Sequence, residues 1–121
     1  MLDDSLDCDQ WMKAALAAFA STLPMAREPM RVAANDQDWL VWRSTGQRGL
    51  YASGKRYGVQ HSMRLTLSCR ETTDHQRLTL DILTALQQAD GCVYARFSGD
   101  SWDETIRRRE CVLYLAIMEA V

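Results

Sequence analysis

The chain has 121 residues, a net charge of −2, 47% hydrophobic residues and 25% charged ones. This composition suits a single globular domain over residues 1–121 and excludes general disorder. The slightly acidic balance argues against a dedicated nucleic-acid binder, which carries a strong positive excess.

The start, Met1-Leu2-Asp3-Asp4, is acidic where a secretory peptide would be basic. The apolar stretch from Ala14 to Ala20 is too short to span a membrane. A cytoplasmic protein without a membrane partner is the expectation. From about Asp7 to Thr22, Leu6, Met12, Ala15, Leu16, Phe19 and Leu23 fall near helical spacing and predict a first helix. Ser5 or Asp7 can cap its start, and Pro24 ends it. The segment Met25 to Asp38 holds Pro29 and Asn35-Asp36 and reads as a connector.

Trp39 to Ser44 is rich in β-forming residues and predicts a short strand. Thr45 to Gly49 reads as a turn, Leu50 to Ser53 as a second short strand, and Gly54 to Gly58 as a loose turn. Trp39 and Trp42 have opposite parity. One should enter the core, and the other should need cover at the surface.

The run Val59 to Arg70 then alternates without a break. Val59, His61, Met63, Leu65, Leu67 and Cys69 face one way, and Gln60, Ser62, Arg64, Thr66, Ser68 and Arg70 the other. At roughly 3.3 Å per residue such a strand spans about 40 Å, twice the common length. It must therefore bend at a bulge or project past the body. A projecting strand is usually covered by another chain.

Thr73-Asp74-His75-Gln76 has capping-box spacing with Thr73 as the cap, and a second helix should run to about Ala89. Asp90-Gly91 is its stop. Cys92 to Phe97 reads as a strand, Ser98 to Glu104 as a polar turn, and Thr105 to Met118 as a last long strand. The predicted class is α+β: a mostly antiparallel sheet of four to five strands with two helices packed on one face.

No catalytic, metal-binding or cofactor-binding constellation emerges. A glycine-rich phosphate loop and a GxSxG elbow are both missing. The cysteines, at 8, 69, 92 and 111, form no CxxC pair, and Cys69 and Cys111 read as small buried hydrophobes. His61 lies on an apolar strand face and should be buried rather than act as a base. Asp100, Asp103 and Glu104 share one turn. Paired carboxylates can hold a metal or do acid–base work, but turns favour aspartate for its bonds to nearby backbone.

Arg107-Arg108-Arg109 is the most suggestive charge run. Three readings stay open for it: local or solvated pairing, a subunit interface, or phosphate contact. Trp102 is either an interface anchor or folds back on Tyr94 or Phe97. Arg43, Arg48, Lys55 and Arg56 make the hairpin basic.

Laid out in this order, the chain resembles the tail terminator or tail completion proteins of long-tailed bacteriophages, the minor-tail group that includes the lambda tail terminator. Three places carry the resemblance. The first is the N-terminal helix leading to Trp39-Leu40-Val41-Trp42. The second is the strand Gln60-His61-Ser62-Met63-Arg64-Leu65-Thr66-Leu67, followed at once by a helix. The third is Ser101-Trp102-Asp103 leading into Val112-Leu113-Tyr114-Leu115-Ala116-Ile117-Met118-Glu119.

The resemblance implies a structural protein rather than an enzyme, with no cofactor. It implies a ring, commonly a hexamer, on the head-proximal end of the tail. There the ring stops tube polymerisation and forms the head–tail joining interface. Its partners would be further copies of itself, the tail tube protein and a head completion or connector protein, with no specific nucleic acid. It would work in the host bacterial cytoplasm during assembly and then in the virion tail. In that reading Arg107 and Arg109 meet acidic residues such as Asp100, Asp103 or Glu104 of a neighbouring subunit, and Trp102 and Arg64 also lie at the subunit interface. The competing reading is a small nucleic-acid-binding or regulatory α+β module that uses the basic hairpin 43–64.

Overall fold

The alternating run lies at the centre of the molecule. In the computed structural model, residues 7–28 and 37–120 are described. In chain order they form α1 (Cys8–Ala15), a 3-10 turn (Ala17–Phe19), β1 (Met25–Arg27), β2 (Trp39–Ala52), β3 (Lys55–Arg70), α2 (His75–Gln88), β4 (Cys92–Asp103) and β5 (Arg108–Ala120). The fold is α+β, with a five-stranded sheet in the order β1-β2-β3-β5-β4.

The sheet is mixed, which corrects the expectation of a mostly antiparallel one. β1 runs parallel to β2, and the other three pairings are antiparallel. The parallel strand lies in the predicted connector. Three residues are too few to show an alternation, so the strand exists only because β2 offers backbone partners. Leu40 donates to the Pro24 carbonyl at 3.0 Å, and Glu28 donates to that of Trp42 at 2.8 Å. The Pro29 and Asn35-Asp36 signals fall outside the described residues.

β3 needs no second chain to cover it. β2 pairs it from Lys55 to Ser68, and β5 pairs it from Gly58 to Arg70. The length that hinted at a projecting strand is absorbed inside the subunit. The pairing with β2 is irregular at two places: at Ser44/Gly46 the extra residue is Thr45 of β2, and at Leu50/Tyr51 it is Tyr57 of β3. Thr45–Gly49 is therefore a bulged continuation of one strand rather than a turn. The chain reverses instead at Ser53-Gly54, with φ of 53° and 77°. Left-handed values at both positions mark the two-residue turn that matches strand twist.

Two other boundaries move. Asp74, not Thr73, caps α2 by accepting from the Arg77 amide at 3.1 Å. The Thr73 hydroxyl is occupied elsewhere, because it donates to buried Asp38 at 2.9 Å. At the other end, β4 runs through Ser98–Asp103. Those polar residues sit on an edge strand beside solvent, and pairing with β5 satisfies their backbone. α1 is shorter than predicted. Asp7 caps it, but the exposed Ala17, Ala18 and Ala20 have no packing to hold the wider α turn, and the chain tightens to 3-10.

The odd-numbered face of β3 and β5 builds the core. Met63, Leu65, Leu67 and Cys69 meet Cys111, Leu113, Leu115 and Ile117, and Leu40 and Trp42 join from β2. Met12 and Leu16 of α1 and Ile82 and Leu86 of α2 complete the same cluster. Trp42 is fully buried, and its indole N–H donates to Asp9 at 2.8 Å. Trp39, on the other face, is covered by the Arg108 guanidinium 3.7 Å from its ring. His61 is buried, as its parity predicted.

Candidate functional site

The β4–β5 hairpin brings six of the predicted site residues to one end of the sheet. Arg109 donates to Asp100 at 2.9 Å. Arg107 donates to Glu71 at 2.6 Å and lies 3.5 Å from Glu104. The Trp102 indole N–H donates to Glu104 at 2.6 Å, with the two guanidiniums 5.9 and 5.8 Å from its ring centre. Asp103 accepts from the Thr105 amide at 2.9 Å, the ordinary bond of a turn aspartate.

Of the three readings left open for this charge run, local pairing is what the geometry displays. The hydrogen bond with Glu71 raises the Arg107 pKa further. Arg107 stands at φ 55°, so the turn itself aims it back at Glu71.

Arg108 behaves differently from its neighbours. It is 2% exposed. It donates to the Ser68 hydroxyl at 2.8 Å, the Ser68 carbonyl at 3.1 Å and the Gln37 carbonyl at 2.6 Å. The run thus splits into a rim charge in the turn, Arg107, a buried brace at the start of β5, Arg108, and a second rim charge on the opposite strand face, Arg109.

Arg64 lies apart from the other predicted residues, on the opposite, outer face of the sheet. Cross-strand register sets Arg43, Arg64, Tyr114 and Arg96 in one row across β2, β3, β5 and β4. Arg43 and Arg96 are exposed, while Arg64 and Tyr114 are half-buried. The Arg64 Nε is buried and has no hydrogen-bond partner. Arg96 stacks over Tyr94 at 5.1 Å. Beside Arg64 and Tyr114 lies a shallow hollow of about 240 Å³, rimmed by Ser98, Gly99, Ser101 and Glu110.

The basic hairpin was legible in the sequence, but Arg96 was not. It reaches the row from a distant strand, and its only local signal is shared parity with Tyr94.

On the inner side, a polar hollow of about 290 Å³ is lined by Asp7, Cys8, Asp9, Arg27, Trp42 and His61, among others. Arg27 and Trp42 already occupy the Asp9 carboxylate. Among the described residues no group of three or more His, Cys, Asp or Glu could hold a metal ion. No described helix is long and apolar enough to cross a membrane.

No family model and no curated protein matches the chain. Among the solved structures to which the chain is similar, one aligns with 93% of this chain and 86% of its own length, at 12% identity and a TM-score of 0.48. A likeness that loose carries no functional argument.

Proposed function

We propose that this chain is a structural assembly subunit of the tail-terminator kind. It forms a ring, hexameric by the sequence resemblance, on the head-proximal end of a tail tube, halts tube growth there and presents a face to the head-joining protein. It needs no cofactor and performs no catalysis. Both helices lie on one face of the sheet, a placement supported by the single core cluster that they share.

The observation that carries this reading is the pair of open sheet edges. β1 pairs only Leu40, Val41 and Trp42 of β2, so the stretch from Arg43 to Ala52 lacks a strand on that side among the described residues. β4 ends the sheet at the other edge. Unsatisfied backbone along an edge recruits another strand. Joining one edge to the different edge of the next copy is a heterologous contact, the kind that closes rings. The exposed Tyr51 and Val93, 63% and 51% accessible, flank the two edges. Arg107 and Arg109 are engaged within the subunit, so their part is to stiffen the rim near β4.

Native mass spectrometry and negative-stain microscopy over a concentration series test the proposal. Wild-type protein should form rings, alone or on added tail tubes. Tyr51→Lys and Val93→Lys together should abolish them without lowering the melting temperature. Rings that persist in the double variant reject the edge contact. A wild-type protein that neither assembles nor binds tubes rejects the function.

A further inference from the structure

The outer face concentrates arginine without neutralising it. Arg43 and Arg64 are direct cross-strand partners, an arrangement that destabilises a sheet. Arg96 stands in the same row beyond Tyr114, and Arg48, opposite Gln60, extends the charge along β2.

None of the four has a described carboxylate within 4.0 Å, although Arg27, Arg70, Arg77, Arg107 and Arg109 each have at least one. Acid is not scarce: the chain has 16 acidic against 14 basic residues. The fold spends its carboxylates elsewhere and leaves this row positive. Two carboxylates line the hollow: Asp100, which Arg109 already engages at 2.9 Å, and Glu110, which pairs in register with Ser68 and Ser101, two steps along the strands from Tyr114.

We propose that this face binds the backbone of a single-stranded nucleic acid. Arg43, Arg64, Arg96 and Arg48 contact phosphates, and Tyr114 and Tyr94 offer ring faces to bases. Three features select this occupant. A row spread over four strands suits a chain of repeated charges better than one small anion. The orphan Nε of Arg64 supplies a desolvated donor for an anionic oxygen. Tyrosines on an open sheet are stacking platforms, useful only for unpaired bases. A duplex would leave them idle, and an acidic peptide would use the arginines alone. The inference does not depend on ring formation.

Fluorescence anisotropy with a labelled oligothymidylate of about 16 nucleotides tests it, with duplex DNA and polyglutamate as competitors. Affinity should fall with a log–log salt slope of about −2 to −3, since each single-strand phosphate contact contributes about −0.7. Arg64→Ala with Arg96→Ala should weaken binding at least ~10-fold, and Tyr114→Leu about 10-fold. Arg77→Ala, whose arginine pairs with Asp81 on α2, should change it less than ~2-fold.

Removing Arg64 relieves repulsion, so the melting temperature should hold. If Arg64→Ala does not fold, Arg43→Ala with Arg96→Ala carries the same test. No binding at low salt, equal losses from Arg77→Ala, or tighter binding of polyglutamate or duplex each overturns the proposal.

Discussion

Replacing Arg108 by alanine removes a buried guanidinium and strands the groups built around it. The Ser68 hydroxyl, the Ser68 carbonyl and the Gln37 carbonyl lose their donor, and Trp39 loses the cation covering its ring. Burial pulls the Arg108 pKa down, with the nearby Asp38 carboxylate opposing it, and a guanidinium stays charged in proteins. Breaking such a buried set from one side costs about 3–5 kcal/mol. Arg108→Lys keeps the charge but cannot fork to three acceptors, and should cost about 1.5–3 kcal/mol. A domain of this length has a total stability of roughly 6–18 kcal/mol. At about 4 °C per kcal/mol, alanine should lower the melting temperature by about 12–20 °C and lysine by about 6–12 °C. The contrast is its neighbour. Arg109→Ala removes an ion pair whose side chains are about a third exposed, 30% and 31%, and should cost under about 1 kcal/mol. Urea titrations and thermal circular dichroism on the three variants measure these values. If Arg108→Ala and Arg109→Ala lie within about 0.5 kcal/mol of each other, the buried-brace account is wrong.

Trp42→Phe keeps an aromatic in the core but deletes the 2.8 Å bond to Asp9; a loss of about 2 kcal/mol is expected in the same urea assay. Ser53→Gly removes the strain of a left-handed serine at the hairpin turn and should stabilise the protein by roughly 0.5–1 kcal/mol. In native protein, iodoacetamide should reach half-buried Cys8 and Cys92 while sparing Cys69 and Cys111, which are 0% exposed. The hydrogen bond with Cys111, then burial, pushes the Cys69 thiol up and deepens its protection. Mass spectrometry after peptide digestion reads the pattern, and early labelling of Cys69 contradicts the core assignment.

Much of the architecture was legible because periodicity is local. Val59 to Arg70 alternates strictly, and β3 buries the odd-numbered members of that run. The opposite parity of Trp39 and Trp42 foretold that one would need cover. Cover came from Arg108, sixty-nine residues away in a run that looked uniform. β1 was illegible because a three-residue parallel strand has no pattern of its own. The polarity of Ser98 to Asp103 misled because an edge strand tolerates what an interior strand does not.

The candidate sites divide in the same way. The β4–β5 cluster was visible as neighbouring charges, and the fold then paired them internally. The outer row was invisible as a row. Arg43, Arg64, Tyr114 and Arg96 lie in four separate strands; Arg43 and Arg64 were legible as members of the basic hairpin, and Arg64 as an interface candidate, but nothing local joined Tyr114 and Arg96 to them.

The sequence by itself determined the helices, the central strand and the inward face, since these follow from spacings of two and 3.6 along one segment. Only the tertiary structure decided which arginine is buried, which is paired and which is left bare. Those fates depend on register between strands far apart in the chain, where one step of pairing moves a charge to the opposite face.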